Sequence, residues 1–154
     1  MIDKSFFPFA QEMLFLYKYD LNIAGITADY KIGSSKTNNY GFIPFSLIWG
    51  WATWKRSWEG YSFKLENFKD GEIPKIIKNM PKNQQKFWIE NFEKIVSNKI
   101  PHTWDFQFSY LVMLRDQKFI YPHTNLITNL GFTIDATPTK NPFDENAGLK
   151  TGKI

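Results

Sequence analysis

The sequence predicts an α/β domain in which a short, incomplete sheet is packed by several helices. Three observations carry this expectation. Two short apolar runs, Asn22–Ala28 (NIAGITA) and Lys118–Pro122 (KFIYP), have the length and make-up of strands. Several longer segments repeat their apolar residues at helical spacing. One of these, Trp104–Leu114, is apolar almost all the way round and is expected to lie inside the domain. Few strands among many helices predict a layered α/β arrangement. The 154 residues fit one domain, long enough to bury about 70% of the surface its unfolded chain exposes.

From the N-terminus, Ser5 can cap a helix whose apolar stripe is Phe6, Phe9, Ala10, Met13, Leu14 and Tyr17. Pro8 falls in its first turn, where the missing N–H costs little. The run Asn22–Ala28 has no polar alternation, so it reads as a strand that needs cover on both faces. With few partners in view, an exposed apolar surface is expected along it. Lys31–Gly41 is rich in turn formers and reads as a loop. Phe42–Trp51 reads as extended, after which Thr53 can cap a short helix bearing Trp54 and Trp58 at i, i+4 on one face. A helix is expected near Ile73–Asn79. Another follows Pro81, with Trp88, Phe92, Ile95 and Val96 inward and its charged face in solvent. Thr103 is the expected N-cap of the buried helix. After Pro122 the pattern becomes irregular, and residues 140–154 read as a loose tail behind a domain spanning 1–139.

Composition narrows the classes of function. Hydrophobic residues at 43% and charged ones at 22% exclude a disordered chain. The net charge of +4 comes almost wholly from Lys, since Arg56 and Arg115 are the only arginines among 19 basic residues. Arg supplies the planar fork that phosphates and bases favour, and no basic run stands out, so no nucleic-acid partner is expected. With no Cys there is neither a disulfide framework nor a thiolate metal site, which permits the cytoplasm. No stretch has the unbroken apolar length of a membrane span, and the start MIDKSFFPFAQEM lacks a signal-peptide pattern.

The sharpest local feature is IWGWATWKRSW, Ile48–Trp58, which holds four of the six tryptophans in eleven residues. Such a cluster can be core, or it can offer flat ring faces to a sugar or a base. Trp49 and Trp51 flank Gly50, where the missing side chain lets a ligand or another stretch of backbone come close.

Taken in order, SFFPFAQEMLFLY, IWGWATWKRSW, TWDFQFSYLVML and YPHTNLITNLGFTIDATPT resemble a group of bacterial nucleotide-sugar glycosyltransferases of the GT-A fold, some described as haemolytic-protein-like. That group's pattern runs WGWATW, then TWDYQW, then P-x-x-NL-x-x-N-x-GF ending in DATHT. The last part is matched here by Pro122, Asn125, Leu126, Asn129, Gly131, Phe132 and Asp135–Thr137. The resemblance spans residues 5–139, most of the chain. In the group, a nucleotide-binding half with a strand-end acidic motif precedes the SFF helix. Asp3 does not match that motif, so the resemblance implies the acceptor-side part of a transferase, with a separate nucleotide-binding half as a candidate partner.

The resemblance implies transfer of a sugar from a nucleotide-diphosphate donor to a glycan hydroxyl. Asp105 would be the base that takes the proton from that hydroxyl. Its position in a first helical turn is also favoured by the helix dipole without any chemistry. Trp49, Gly50 and Trp51 would line the acceptor site, with Trp104 packed against the same cluster. Asn125 and Asn129 would orient hydroxyls, although turn hydrogen bonds explain them equally. The complete enzyme would use a divalent metal, Mn²⁺ or Mg²⁺, and this chain alone would hold none. Pro138 stands where the pattern carries a His, and His102 and His123 lack ligand spacing. The alternative is a non-catalytic carbohydrate-binding or interaction module derived from such an enzyme.

Overall fold

The computed structural model describes residues 1–30, 40–69, 71–97, 103–128 and 151–152. Their centre is a four-stranded mixed sheet of β1 (Ile23–Thr27), β2 (Tyr40–Ile43), β3 (Trp51–Thr53) and β4 (Lys118–Pro122), in the order β2-β4-β1-β3. β1 and β4 run parallel, while β3 pairs antiparallel with β1 and β2 antiparallel with β4. The two apolar runs thus form the two inner strands, and the domain is mixed α/β as expected.

β1 is buried at every position, which corrects the expectation of an exposed apolar surface along it. Its cover comes from both sides. Helix α1 (Phe6–Leu16) packs Phe6, Phe9, Ala10 and Met13 against Ile23, Ile26 and Ile120. Helix α5 (Asp105–Leu114) packs Phe108, Leu111 and Val112 against Ala24, Phe119 and Tyr121 on the opposite face. A strand covered on both faces has no solvent side to require polar alternation, which explains its unbroken apolar sequence. Gly25 sits at a register shift in this strand. A Cβ there would lie 2.5 Å from the Phe119 ring, so the position has room for glycine alone.

A third core lies behind α5. There Tyr110 and Met113 meet Leu65, Ile77, Trp88, Phe92 and Ile95, contributed by α3 (Lys75–Lys78), α4 (Lys82–Val96) and the chain before α2 (Glu66–Lys69). α5 therefore touches apolar surface on both sides, and its residues from Gln107 to Met113 are all buried. The short α2 lies in the Lys- and Asn-rich stretch, where no helix is expected from the sequence.

Four local expectations change in the structure. The Ser5 side chain makes no cap bond to α1; instead Asp3 Oδ1 accepts from Ser5 N (2.9 Å) and Ser5 Oγ (2.5 Å). Thr53 does not cap a helix. It ends β3, its hydroxyl donates to the Ala24 carbonyl, and Trp54 precedes a 3₁₀ turn at Lys55–Trp58. In that turn Trp54 and Trp58 part company. Trp54 joins the α1 side and carries Arg56 over its ring at 4.0 Å, whereas Trp58 joins the α5 side. The extended stretch Phe42–Trp51 is extended only at its two ends, in β2 and β3.

Tyrosine hydroxyls tie these layers together at two places. Tyr17 and Tyr40 share a hydrogen bond of 2.9 Å between α1 and β2, and Tyr110 donates to the Glu72 carbonyl at 2.7 Å. Burial pushes both Tyr17 and Tyr110 up to about 12, helped by Tyr40 for the first and by Glu72 for the second. A phenol whose folded pKa exceeds its unfolded value of about 10 contributes stability that is complete below pH 10 and lost as the pH rises toward about 12. Melting temperature is therefore expected to be level through neutral pH and to fall steeply above pH 10. A flat alkaline limb would contradict this packing.

Candidate functional site

β1 and β4 are parallel neighbours, so their carboxyl ends, at Thr27 and Pro122, lie at one end of the sheet. In open α/β sheets that end is where ligands gather. Trp51 starts β3 opposite Thr27, and Trp104 lies 5.2 Å from Trp51 between ring centroids. The first turn of α5, with Asp105, is thereby placed at the same end. Asp29, buried just past β1, lies there too and has no counterpart among the sequence-based candidates.

Asp105 is half-buried. Thr103, the expected helix cap, is used differently: its hydroxyl donates to Asp105 Oδ1, and the helix proper starts at Asp105 with Trp104 as N-cap. Asp105 Oδ2 makes no hydrogen bond with the described residues. The Tyr61 hydroxyl donates to the Trp104 carbonyl at 3.3 Å. Burial raises its pKa, and the neighbouring Asp105 charge raises it further, so Tyr61 remains a neutral donor.

On one side of Asp105 stands a block of rings. Trp58 stacks on Phe108 at 4.2 Å with the planes 10° apart, and Trp51, Trp58 and Trp104 meet one another at 5.2 to 5.9 Å. The three tryptophans are only half-buried, while Phe108 beneath them is fully buried. The block is thus core at its base and ring surface at its rim.

On the other side lies a cleft of about 940 Å³, walled by the segment Pro44–Leu47 and by α3, α4 and α5. Phe45, Phe87, Trp88 and Phe106 supply its aromatic lining, and Asp105 is the one ionisable residue among the described residues that line it. Ser46 and Ser109 also face it, but their hydroxyls hydrogen-bond each other at 2.7 Å. Sequence reasoning names none of Phe45, Ser46, Tyr61, Phe87, Phe106 and Ser109. The available signal is Ser109, a hydroxyl inside an otherwise apolar buried helix, which must find a buried partner.

The remaining candidates lie elsewhere. Trp49 packs on the α1 side of the sheet, away from Trp51, because Gly50 between them adopts φ +58° and turns the chain. What comes close to Gly50 is the chain itself. The Ala28 N–H donates to the Gly50 carbonyl at 2.6 Å, and a Cβ at Gly50 would lie 2.9 Å from that of Ala28. The Asn125 side chain donates to the Ile127 carbonyl at 2.6 Å, and the Asn125 backbone carbonyl accepts from the Gly152 N–H. Asn129, His102, Gly131, Pro138, residues 135–137 and the boundary at 139/140 lie outside the described residues. Both arginines are used on backbone: Arg56 on the Tyr17 and Asp20 carbonyls, Arg115 on that of Glu59.

Among the described residues no three His, Asp or Glu side chains gather as a metal-ligand set. No helix among the described residues is long and apolar enough to cross a membrane. Comparison with protein-family models, with curated proteins and with solved structures finds no match to this chain.

Proposed function

We propose that this chain is the acceptor-side part of a GT-A-type glycosyltransferase, which transfers a sugar from a nucleotide-diphosphate donor to a glycan hydroxyl. The observation that carries the reading is the placing of Asp105, a carboxylate between a tryptophan rim and a large cleft. In the reaction, Asp105 takes the proton of the acceptor hydroxyl as that oxygen bonds to the anomeric carbon. The bond from the anomeric carbon to the diphosphate breaks, and its electron pair leaves with the nucleoside diphosphate. Trp51 and Trp104 present ring faces beside the acceptor. A divalent ion, Mn²⁺ or Mg²⁺, would stabilise the leaving diphosphate from the nucleotide-binding side of the reaction.

A second reading, a carbohydrate-binding module without chemistry, draws on the half-buried tryptophans alone. It expects glycan binding with no response to a nucleotide sugar. The discriminating experiment follows nucleoside diphosphate release across a panel of nucleotide sugars with Mn²⁺, with and without an added GT-A nucleotide-binding half. Residues 1–154 by themselves are expected to release none, since the proposed reading assigns diphosphate and metal binding to the separate nucleotide-binding half. Transfer is expected once the other half is supplied. Metal-dependent release by residues 1–154 by themselves would overturn the acceptor-side reading. Glycan binding without transfer in the joined system would favour the binding module.

A further inference from the structure

The cleft beside Asp105 is a poor match for a wholly polar glycan. At about 940 Å³ it is the size of sites that enclose most of a small ligand. Its aromatic walls are in mutual contact: Phe45 and Trp88 at 5.3 Å, Trp88 and Phe106 at 5.8 Å, Phe87 and Phe106 at 6.1 Å between ring centroids. Ile76 and Met80 extend the apolar lining. A sugar placed among these groups would lose water from its hydroxyls and gain few partners, at a free-energy cost for each unpaired group.

The polar groups of the cleft deepen the contrast. Ser46 and Ser109 are buried and satisfy each other, and the Ser46 N–H also donates to Ser109 Oγ at 3.3 Å. Gln84 and Asn83 lie on the α4 wall and carry no charge. Among the described lining residues that leaves Asp105 as the single charged acceptor, its Oδ2 without a hydrogen bond to a described residue. A cleft of this kind holds an apolar body and takes one hydrogen-bond donor from it at the carboxylate.

We infer that the acceptor is amphipathic: a hydroxyl-bearing head at Asp105 joined to an alkyl or aryl body that fills the cleft between α4 and α5. This inference rests on the proposed role of Asp105 and narrows the acceptor to glycolipid-like or aryl-glycoside-like compounds. Apolar burial gives the affinity, and the carboxylate selects the end that presents the hydroxyl.

The test compares n-octyl β-D-glucoside, kept below its micelle concentration, with methyl β-D-glucoside by calorimetric titration of the full chain. The octyl compound is expected to bind at least about tenfold more tightly, since each buried methylene adds to the transfer term. Phe87→Ala should remove most of that preference while the fold survives, because Phe87 is 51% exposed. Asp105→Asn should weaken both glucosides. Equal affinity of the two glucosides, with binding that still depends on Asp105, overturns the inference and leaves the proposed function standing. A tail preference that survives Phe87→Ala places the tail elsewhere, on another face or between two copies of the chain, and overturns the inference. Binding indifferent to Asp105 overturns both the inference and the reading beneath it.

Discussion

Asp105→Asn is expected to lower sugar transfer by about 10²-fold or more while donor affinity barely changes, measured with the nucleotide-binding half supplied. The amide has nearly the shape of the carboxylate, and its carbonyl can keep the bond that the Thr103 hydroxyl donates to Oδ1. What it loses is the basic oxygen. The attacking hydroxyl must then shed its proton to water, so the transition state loses more than the bound acceptor does. Folding should survive, because a charge in a first helical turn contributes about 0.3–1 kcal/mol when partly exposed. A residue that serves only to start α5 reverses the order, with slightly lower stability and near-normal transfer. Kinetics and melting on the same variant therefore separate chemistry from helix initiation. Unchanged transfer would end the catalytic assignment.

The fold was legible where burial is two-sided and the cleft was not. β1, β4 and α5 each meet apolar neighbours on both sides, so their sequences read as largely apolar runs of strand or helix length. The α4 face bearing Trp88, Phe92 and Ile95 was legible from its period, since one side packs and the other meets water. The tryptophan segment misleads because the spacing of Trp54 and Trp58 matches an α-helical face. The chain there forms a 3₁₀ turn, in which residues four apart do not line up, and the two rings enter different cores. Gly50 misleads for a related reason. Missing bulk shows that something comes close, and here it is Ala28.

Asp105 was visible as an acid at a helix start. The cleft that gives its carboxylate a context is assembled from segments near residues 45, 76, 84 and 106, and no single stretch of sequence carries that juxtaposition. Aromatic richness signalled stacking without saying where the stack would leave a rim.

Phe108→Ala is expected to cost about 3–5 kcal/mol of stability, the range for deleting a buried aromatic ring whose cavity cannot close. Phe108 is completely buried, lies flat against Trp58, meets Trp51 at 6.2 Å and stands edge-on to Phe119 of the sheet at 5.9 Å. Its neighbours are themselves large rings fixed by other contacts, so they cannot slide in to fill the space. Against a typical total of about 5–15 kcal/mol the loss is a large share, and at about 2–4 °C per kcal/mol the melting temperature should fall by roughly 6–20 °C. Phe108→Leu keeps most of the volume and should cost well under half as much. Trp104→Ala, at the half-buried rim of the same block, should also cost less, because part of that ring already faces water. The ordering of the three in thermal or urea unfolding is the measurement that matters. If Trp104→Ala proved as damaging as Phe108→Ala, the rim would be core and would offer no ring face beside Asp105. If Phe108→Ala cost less than about 1 kcal/mol, the ring block would not be what joins α5 to the sheet. The expected order leaves the tryptophans divided as the structure divides them, with stability beneath, at Phe108 and the inner face of Trp58, and exposed ring surface above, at Trp51 and Trp104.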